Sequence, residues 1–268
     1  MTERTSYETG GGFADSTVLI TGGGSGIGAA TAVQLARRGA AVVLADIDLA
    51  NAETVAKQIL ADGGQATAVR TDVADPAQVE EAVALSVETY GGLHHALNNV
   101  PSAKPGVRVG DIDVADWQHV INVGLNGVFY GLRHQVPAIR DAGGGSIVNI
   151  SSIAGLWAPS MNAGYGTAKH AIIGLTKTAA LDHARDGIRI NTVCPAFIRT
   201  PLLLNGLPPE RVEQLVKKHP IGRLGEAEDV ANLIVFLMSP AASFITGSTH
   251  LVDGGFTAGY RGGSDTED

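Results

Sequence analysis

Cysteine is nearly absent from this 268-residue chain. Cys194 stands alone, so no internal disulfide can form, which fits a reducing compartment and a fold held by its core. Clusters of basic residues are missing too. With a net charge of −8 and no Lys/Arg run, the chain offers little to nucleic acid or to an anionic membrane surface. No apolar run approaches the roughly 18 residues of a membrane span. The opening MTERTSYETGGGFAD has no apolar stretch behind a basic one, so no secretory signal is expected there. The eight histidines show no metal-ligand spacing, His94-His95 reads as a structural pair, and no metal is expected. What the chain does have is apolar content, 44%, enough for a sizeable core. These features predict a cytoplasmic protein without membrane or nucleic-acid partners.

Residues 1–14 and 258–268 are polar and glycine-rich, and both are read as flexible ends. Between them, in 15–257, β-branched runs at 16–21, 41–46, 66–73, 94–99, 146–151, 188–194 and 248–253 alternate with helical patterns. The helices are expected near 26–38, 50–61, 76–89, 114–140, 163–185 and 227–238. Continuous apolar strands separated by helices predict a parallel sheet covered on both faces, hence one doubly wound α/β domain. In such a sheet, ligands sit beyond the carboxyl ends of the strands.

The first strand runs straight into TGGGSGIGAATAVQLARRG, residues 21–39. Gly22, Gly26 and Gly28 let the backbone turn sharply and approach a ligand, and the helix behind them offers unpaired N–H groups at its positive end. A glycine-rich loop alone reads equally well as a tight turn. Here a strand precedes it, a helix follows it, and Asp46 closes the second strand, which suits the pyrophosphate and ribose of a dinucleotide. Thr21, Gly24, Ser25 and Ile27 complete the expected phosphate turn. The Asp46 carboxylate can accept both adenosine ribose hydroxyls and would repel a 2′-phosphate. Neither Ser25 nor Ile47 supplies a compensating cation, so NAD is expected over NADP. Asp72 and Val73, at the end of the third strand, would flank the adenine, although Asp72 alone reads equally as a strand-end turn.

In GYGTAKHAIIGLTKTAALDHA, Tyr165 and Lys169 are four residues apart and share a helix face. Alone they could be a rim pair, one packing and one snorkelling. Their company gives the pair another meaning. TGGGSGIG at 21–28, Asp46, NN at 98–99, ISS at 150–152 and YGTAK at 165–169 stand in an order and spacing that resemble the short-chain dehydrogenase/reductase family. The likeness runs from about residue 15 to 257 and includes GRLGEAEDVANLIVFLMSPAASFITG and the closing VDGG. It implies a Rossmann domain with a seven-stranded parallel sheet in the order 3-2-1-4-5-6-7 and helices on both faces. It implies Tyr165 as general acid/base, Lys169 serving it and bonding the nicotinamide ribose, and Ser152 on the substrate oxygen, with Ser151 structural. A free phenol has a pKa near ~10, and a neighbouring ammonium is expected to lower it toward the working range. Asn99, Val100, Pro101, Pro195 and Ala196 would lie by the nicotinamide ribose, and Ile198 and Thr200 would touch the carboxamide. The segment from Ala227 to Asp253 resembles those through which the family assembles tetramers.

Three positions depart from the family pattern. NNAG reads NNVP at 98–101, where proline removes a donor and stiffens the turn. PG after the sixth strand reads Pro195-Ala196, tolerable unless residue 196 needs positive φ. The family's fourth catalytic residue, an asparagine anchoring a water behind the lysine, is here Gly124. Either water takes the space that glycine leaves, or a helix bulge brings Asn122 or Asn126 round. The first is favoured, with Gly124→Asn expected to raise turnover.

On the substrate side, Ile153, Trp157, Met161, Phe197, Leu202 and Leu203 are apolar, with no Lys or Arg aimed inward. A neutral hydrophobic ketone or secondary alcohol suits them. FIRTPLLLNGLPPERVEQLVKKHP reads either as a mobile flap or as a surface helical hairpin. The expected function is that of an NAD-dependent alcohol dehydrogenase or ketone reductase. Its competitors are an NAD(H)-binding regulator or scaffold with weakened catalysis, and a family member acting on dihydrodiols or imines.

Overall fold

The computed structural model describes residues 12–102 and 106–259. Seven parallel strands form the sheet: β1 (Thr17–Thr21), β2 (Ala41–Asp46), β3 (Gln65–Arg70), β4 (His95–Asn98), β5 (Gly145–Ile150), β6 (Ile188–Pro195) and β9 (Thr249–Val252). Their order is β3-β2-β1-β4-β5-β6-β9, the expected one, with β9 as the seventh sheet strand. Between β6 and β9 a two-residue ladder joins β7 (Ile198–Arg199) to β8 (Gly225–Glu226).

The strands are apolar throughout because both faces are covered. Every residue of β1 is buried. Val18 and Ile20 face one core layer, with Leu35 of α1 (Gly26–Ala36), Ile59 of α2 (Leu49–Ala61) and Ile234 of α9 (Ala227–Met238). Leu19 faces the other, with Val83 of α3 (Pro76–Tyr90), Val136 of α5 (Gly127–Asp141) and Ile172 of α6 (Ala163–His183). The period-two alternation of a strand thus feeds two cores at once. Among the described residues, no helix is long and apolar enough to cross a membrane.

Three details depart from expectation. Phe13, within the end read as flexible, is 2% exposed, stacks edge-on against His95, and its N–H bonds the Arg38 carbonyl. One aromatic ring has enough apolar area to anchor an otherwise polar segment. The rest of that end up to residue 11, and residues 260–268 of the tail, lie outside the described residues. The third strand stops at Arg70, so Asp72 and Val73 belong to the turn that leads to α3, whose N-cap Asp75 accepts from the Ala77 N–H. The pattern at 114–140 is not one helix: α4 (Val114–Ile121) and α5 are separated by a π-turn, Asn122–Asn126. The leucine-rich segment after β6, read either as a mobile flap or as a surface hairpin, carries two helices, α7 (Pro201–Gly206) and α8 (Pro209–Lys218), each starting with proline at its first position.

A buried amide network ties the carboxyl edge together. Asn98 donates to Gln135 Oε1 at 3.0 Å and to Asn149 Oδ1 at 2.8 Å, Gln135 donates back to Asn98 Oδ1 at 2.8 Å, and Asn149 donates to Thr176 Oγ1 at 2.9 Å. The chain of bonds fixes β4, β5, α5 and α6 relative to one another, just below the loops that carry the candidate site. Asn98→Ala should leave Gln135 and Asn149 with unmet partners and lower stability by about 2–4 kcal/mol. Urea unfolding with an unchanged slope is the check; a midpoint equal to that of the parent would contradict the network's role.

Candidate active site

The turn after β1 has the shape of an anion cradle. Gly22 has φ +62°, a side chain on it would collide with the Asn99 carbonyl, and one on Gly28 would collide with the Gly22 carbonyl. Only glycine lets these backbones meet. Helix α1 starts there with no acidic residue in its first turn, leaving its N–H groups and positive end to a ligand. Asn99 ties the NN loop to the turn: its N–H donates to Thr21 Oγ1 at 3.1 Å and its side-chain amide to the Gly22 carbonyl at 3.2 Å. Asp46 lies across the turn, accepting from the Gly24 N–H at 2.8 Å and the Asp48 N–H at 3.0 Å. Thr200 closes the far side, its methyl 3.0 Å from where a Gly26 Cβ would stand. The residues present fit a dinucleotide pyrophosphate with a ribose at Asp46. Ser25 is the extended residue before α1 and Ile47 is exposed beyond Asp46. Ile198 is buried beside Thr200, Val73 is buried against Gly127, and Asp72 accepts from the Ala74 N–H. Val100 is half-buried and Pro101 exposed in the NN loop. Pro195 ends β6, and Ala196, whose N–H bonds the Val252 carbonyl, takes no positive φ, so alanine stands there without strain.

Beyond β5, Ser151 and Ser152 divide the work. Ser151 Oγ donates to the Lys169 carbonyl at 2.8 Å. Ser152 Oγ accepts from the Ala154 N–H at 3.1 Å, opening the 3₁₀ turn Ile153–Gly155 and leaving its own O–H to donate. Gly155 is required here, since a Cβ would come within 2.7 Å of the Lys169 carbonyl. That contact seats the serine loop on α6.

Lys169 is 3% exposed. Its Nζ donates to the Ile150 carbonyl at 3.0 Å and stands 5.6 Å from the centroid of the Tyr165 ring, within cation–π range. Burial brings its pKa down to about 8, with the neighbouring Cys194 acting weakly the other way. Burial also raises Tyr165 above the ordinary phenol value, and a hydrogen bond with Ser152 opposes that rise. The expectation that the ammonium lowers the phenol is corrected by this balance. Desolvation outweighs the Ser152 hydrogen bond, because the same apolar shell that hides the ammonium hides the phenol. The Cys194 thiol is likewise pushed up by burial.

The expected substrate wall is only partly assembled. Ile153 is buried beside Ser152. Trp157 stacks on Phe256 with centroids 6.3 Å apart, and Phe256 meets Phe197 at 5.5 Å and His219 at 5.1 Å. Phe256 and His219 were not foreseen: the first follows the glycine pair at the very end of the folded region, the second closes a charged helix. Met161 does not join this group. It has φ +62° and borders a cavity of about 640 Å³, with Val107, Arg108, Pro159, Gly166 and His170. Leu202 is 62% exposed on α7, while Leu203 is half-buried.

The π-turn settles the alternatives at Gly124. A bulge is present, and Asn126 donates to Asn122 Oδ1 at 2.9 Å, so the two amides bond each other. Nor is there open space at Gly124: a side chain there would collide with the Ser102 hydroxyl, and Ser102 Cβ lies 2.9 Å from the Cβ position. The expectation that Gly124→Asn raises turnover is therefore withdrawn.

Comparison with known proteins gives a consistent picture. A family model described as enoyl-(acyl carrier protein) reductase matches residues 22–257. The chain is similar to a cyclohexanol dehydrogenase of Acinetobacter sp. (strain SE19), 47% identical over 92% of this chain and 96% of that protein. It is 41% identical to a cis-4-hydroxycyclohexanecarboxylate dehydrogenase of Sinomonas cyclohexanicum, over 92% of this chain and 98% of that one. The crystal structure of levodione reductase superposes with a TM-score of 0.89 at 35% identity, covering 92% of this chain and 100% of that chain.

The buried lysine makes a prediction about stability. Above pH 10.5 its amine is neutral in both folded and unfolded chains, and burial costs nothing in charge. As pH falls from 10.5 to about 8 the unfolded chain binds the proton first, so the folded state loses stability, fully so below 8. Lys169→Met removes this dependence. Relative to the variant, the parent should lose on the order of 3 kcal/mol between these two pH values, read by urea unfolding; a pH-independent difference would contradict it.

Proposed function

The chain belongs to the short-chain dehydrogenase/reductase family, and on that premise we propose that it interconverts apolar, ring-bearing secondary alcohols and ketones, using NAD and a Ser152-Tyr165-Lys169 proton-transfer site. One observation carries this reading: a buried ammonium beside the ring of a half-buried phenol, with the Ser152 hydroxyl hydrogen-bonded to that phenol, at the carboxyl edge that also holds the dinucleotide cradle.

The cradle of Thr21, Gly22, Gly24, Ser25, Gly26, Ile27 and Gly28 would hold the pyrophosphate. Asp46 and Ile47 would take the adenosine ribose, with Asp72 and Val73 by the adenine. Asn99, Val100, Pro101, Lys169, Pro195 and Ala196 would border the nicotinamide ribose, and Ile198 and Thr200 the carboxamide. When bound, the nicotinamide supplies the acceptor or donor of the hydride. Ser152 donates to the substrate oxygen and steadies its developing charge. Tyr165 takes the alcohol's hydroxyl proton during oxidation and returns it during reduction. Ile153, Trp157, Phe197 and Phe256 supply an apolar and aromatic wall, which favours a ring over a charged chain. The names of the cyclohexanol and hydroxycyclohexanecarboxylate relatives support the same substrate class. Asp46 supports NAD, since its carboxylate would face a 2′-phosphate.

The lone, buried cysteine supports a cytoplasmic location. Phe129 on α5, Leu181 on α6, Phe236 on α9 and Phe244 and Leu251 near the last strand are exposed large apolar side chains. They support a homotetramer in which these faces are covered. Sedimentation at the mass of four chains is the expected result, and a stable monomer the contrary one.

Tyr165→Phe should lower turnover of cyclohexanol and cyclohexanone by about 10²–10⁴-fold, with NADH affinity by fluorescence titration preserved. NAD should be preferred over NADP by about 100-fold or more, the effect of a misplaced like charge. Because burial raises the phenol, its protonated form dominates at neutral pH. Ketone reduction should therefore persist at neutral pH, while alcohol oxidation climbs into the alkaline range. Undiminished turnover in the Phe variant would end the proposal. A parent that binds NADH but turns over no alcohol, diol, ketone or imine would mark a scaffold instead.

A further inference from the structure

His219 closes α8, and it is 3% exposed. Its ring is anchored from one side. Nδ1 lies 2.7 Å from the Leu215 carbonyl, one helical turn back, and a carbonyl only accepts, so Nδ1 carries the N–H of the neutral ring. Nε2 is then a lone-pair acceptor, directed away from the bond that anchors the ring. It is buried and has no hydrogen-bond partner among the described residues. An acceptor stripped of water and left bare is costly, so it calls for a donor from outside the chain.

The surroundings narrow the choice of donor. Phe197 stands edge-on to the imidazole at 5.9 Å, Phe256 lies across it at 5.1 Å, and Phe256 in turn stacks on Trp157 in the loop that follows Ser152. The bare nitrogen therefore belongs to the aromatic wall of the proposed substrate site. A cavity of about 350 Å³ borders the same ring, and it is lined also by Phe197 and by Ala196 and Ile198, the segment assigned above to the nicotinamide. The other polar side chains on that cavity are engaged: Arg223 bonds Asp229, and Asp253 accepts from the N–H groups of Gly255 and Thr257. His219 Nε2 is left as the unengaged acceptor.

A lone pair discriminates by chemistry. It attracts an O–H, gains nothing from an ether or ketone oxygen, and repels a carboxylate. Aromatic rings around it favour a carbocycle over an open polar chain. We propose that His219 is a specificity-determining residue: Nε2 accepts a hydrogen bond from a second hydroxyl on the substrate ring, so this chain prefers cyclic diols to simple cyclic alcohols. The proposal rests on the alcohol-oxidising site argued above and adds no step to its chemistry. The second hydroxyl keeps its proton, and only the first is oxidised.

Kinetics of the full chain supply one test. The kcat/KM for cyclohexane-1,4-diol should exceed those for cyclohexanol and 4-methoxycyclohexanol by about tenfold or more, with the difference mostly in KM. His219→Phe should erase that preference, and His219→Gln, which keeps an acceptor, should retain part of it. A merely structural histidine would lower Tm and leave the ratio alone. A parent that treats diol and methyl ether alike, or a His219→Phe variant that keeps the parent's ratio, would overturn the proposal.

A second measurement needs no turnover. In the chain labelled with nitrogen-15 at histidine, the His219 signals, identified by their loss in His219→Gln, should show hydrogen on Nδ1. With NADH present, adding the diol should shift the Nε2 signal, and adding 4-methoxycyclohexanol should not. Hydrogen on Nε2, or a diol that leaves the signal in place, would equally overturn the proposal. Should Tyr165→Phe retain full turnover, or the parent oxidise no alcohol, the function proposed above fails instead, and the nitrogen signal still decides whether His219 receives a hydroxyl.

Discussion

An ammonium group held out of water beneath a phenol ring is the constraint from which the rest of this molecule follows. Lys169 is buried on a helix of small residues, and Gly164, Gly166 and Ala168 around it are buried as well. Small side chains let α6 settle close against the sheet, and that closeness is what strips water from Lys169 and Tyr165 together. The cost is real, since a buried charge with one carbonyl partner is poorly compensated. Such an arrangement is retained for chemistry rather than stability, and it places a mobile proton near neutral pH beside a group that otherwise keeps its own.

The parallel sheet supplies the setting. All seven strands point the same way, so their carboxyl ends bring the glycine turn, Asp46, the NN loop and the serine loop to one edge. The amide network of Asn98, Gln135, Asn149 and Thr176 locks the central strands to α5 and α6 directly beneath. Cradle, serine loop and lysine helix are therefore positioned by one rigid core, and the aromatic group of Trp157, Phe197, His219 and Phe256 forms a wall beside them.

Much of this was legible in the sequence because it rests on local pattern. Apolar runs such as TVLIT and AVVLAD are strands because both their faces are covered, and the turn at 21–28 announces itself through glycines that no other residue could replace. The tyrosine, lysine and second serine were singled out by the family resemblance that their order in the chain carries, and their roles are those proposed above. What escaped depends on contacts distant in the chain. A bulge near Gly124 was one of two alternatives the sequence offered, but the meeting of Gly124 with Ser102, twenty-two positions away, is signalled by neither residue alone. Phe13 and Phe256 lie in segments of polar composition, yet one ring buries itself in the core and the other against Trp157. The direction of the Tyr165 shift was misjudged because proximity of charge can be read from an i, i+4 spacing, whereas depth of burial cannot.

The ionisation of Lys169 is the most direct test of this picture. Carbon-13 NMR of side-chain-labelled lysine, with the Lys169 signal identified by its loss in Lys169→Met, follows each ammonium through its titration. The expected result is a Lys169 signal that titrates near pH 8, well below the exposed lysines. A signal that titrates with the others near ~10.4 would mean that the ammonium is solvated, and the proposed proton-transfer centre would lose its physical basis.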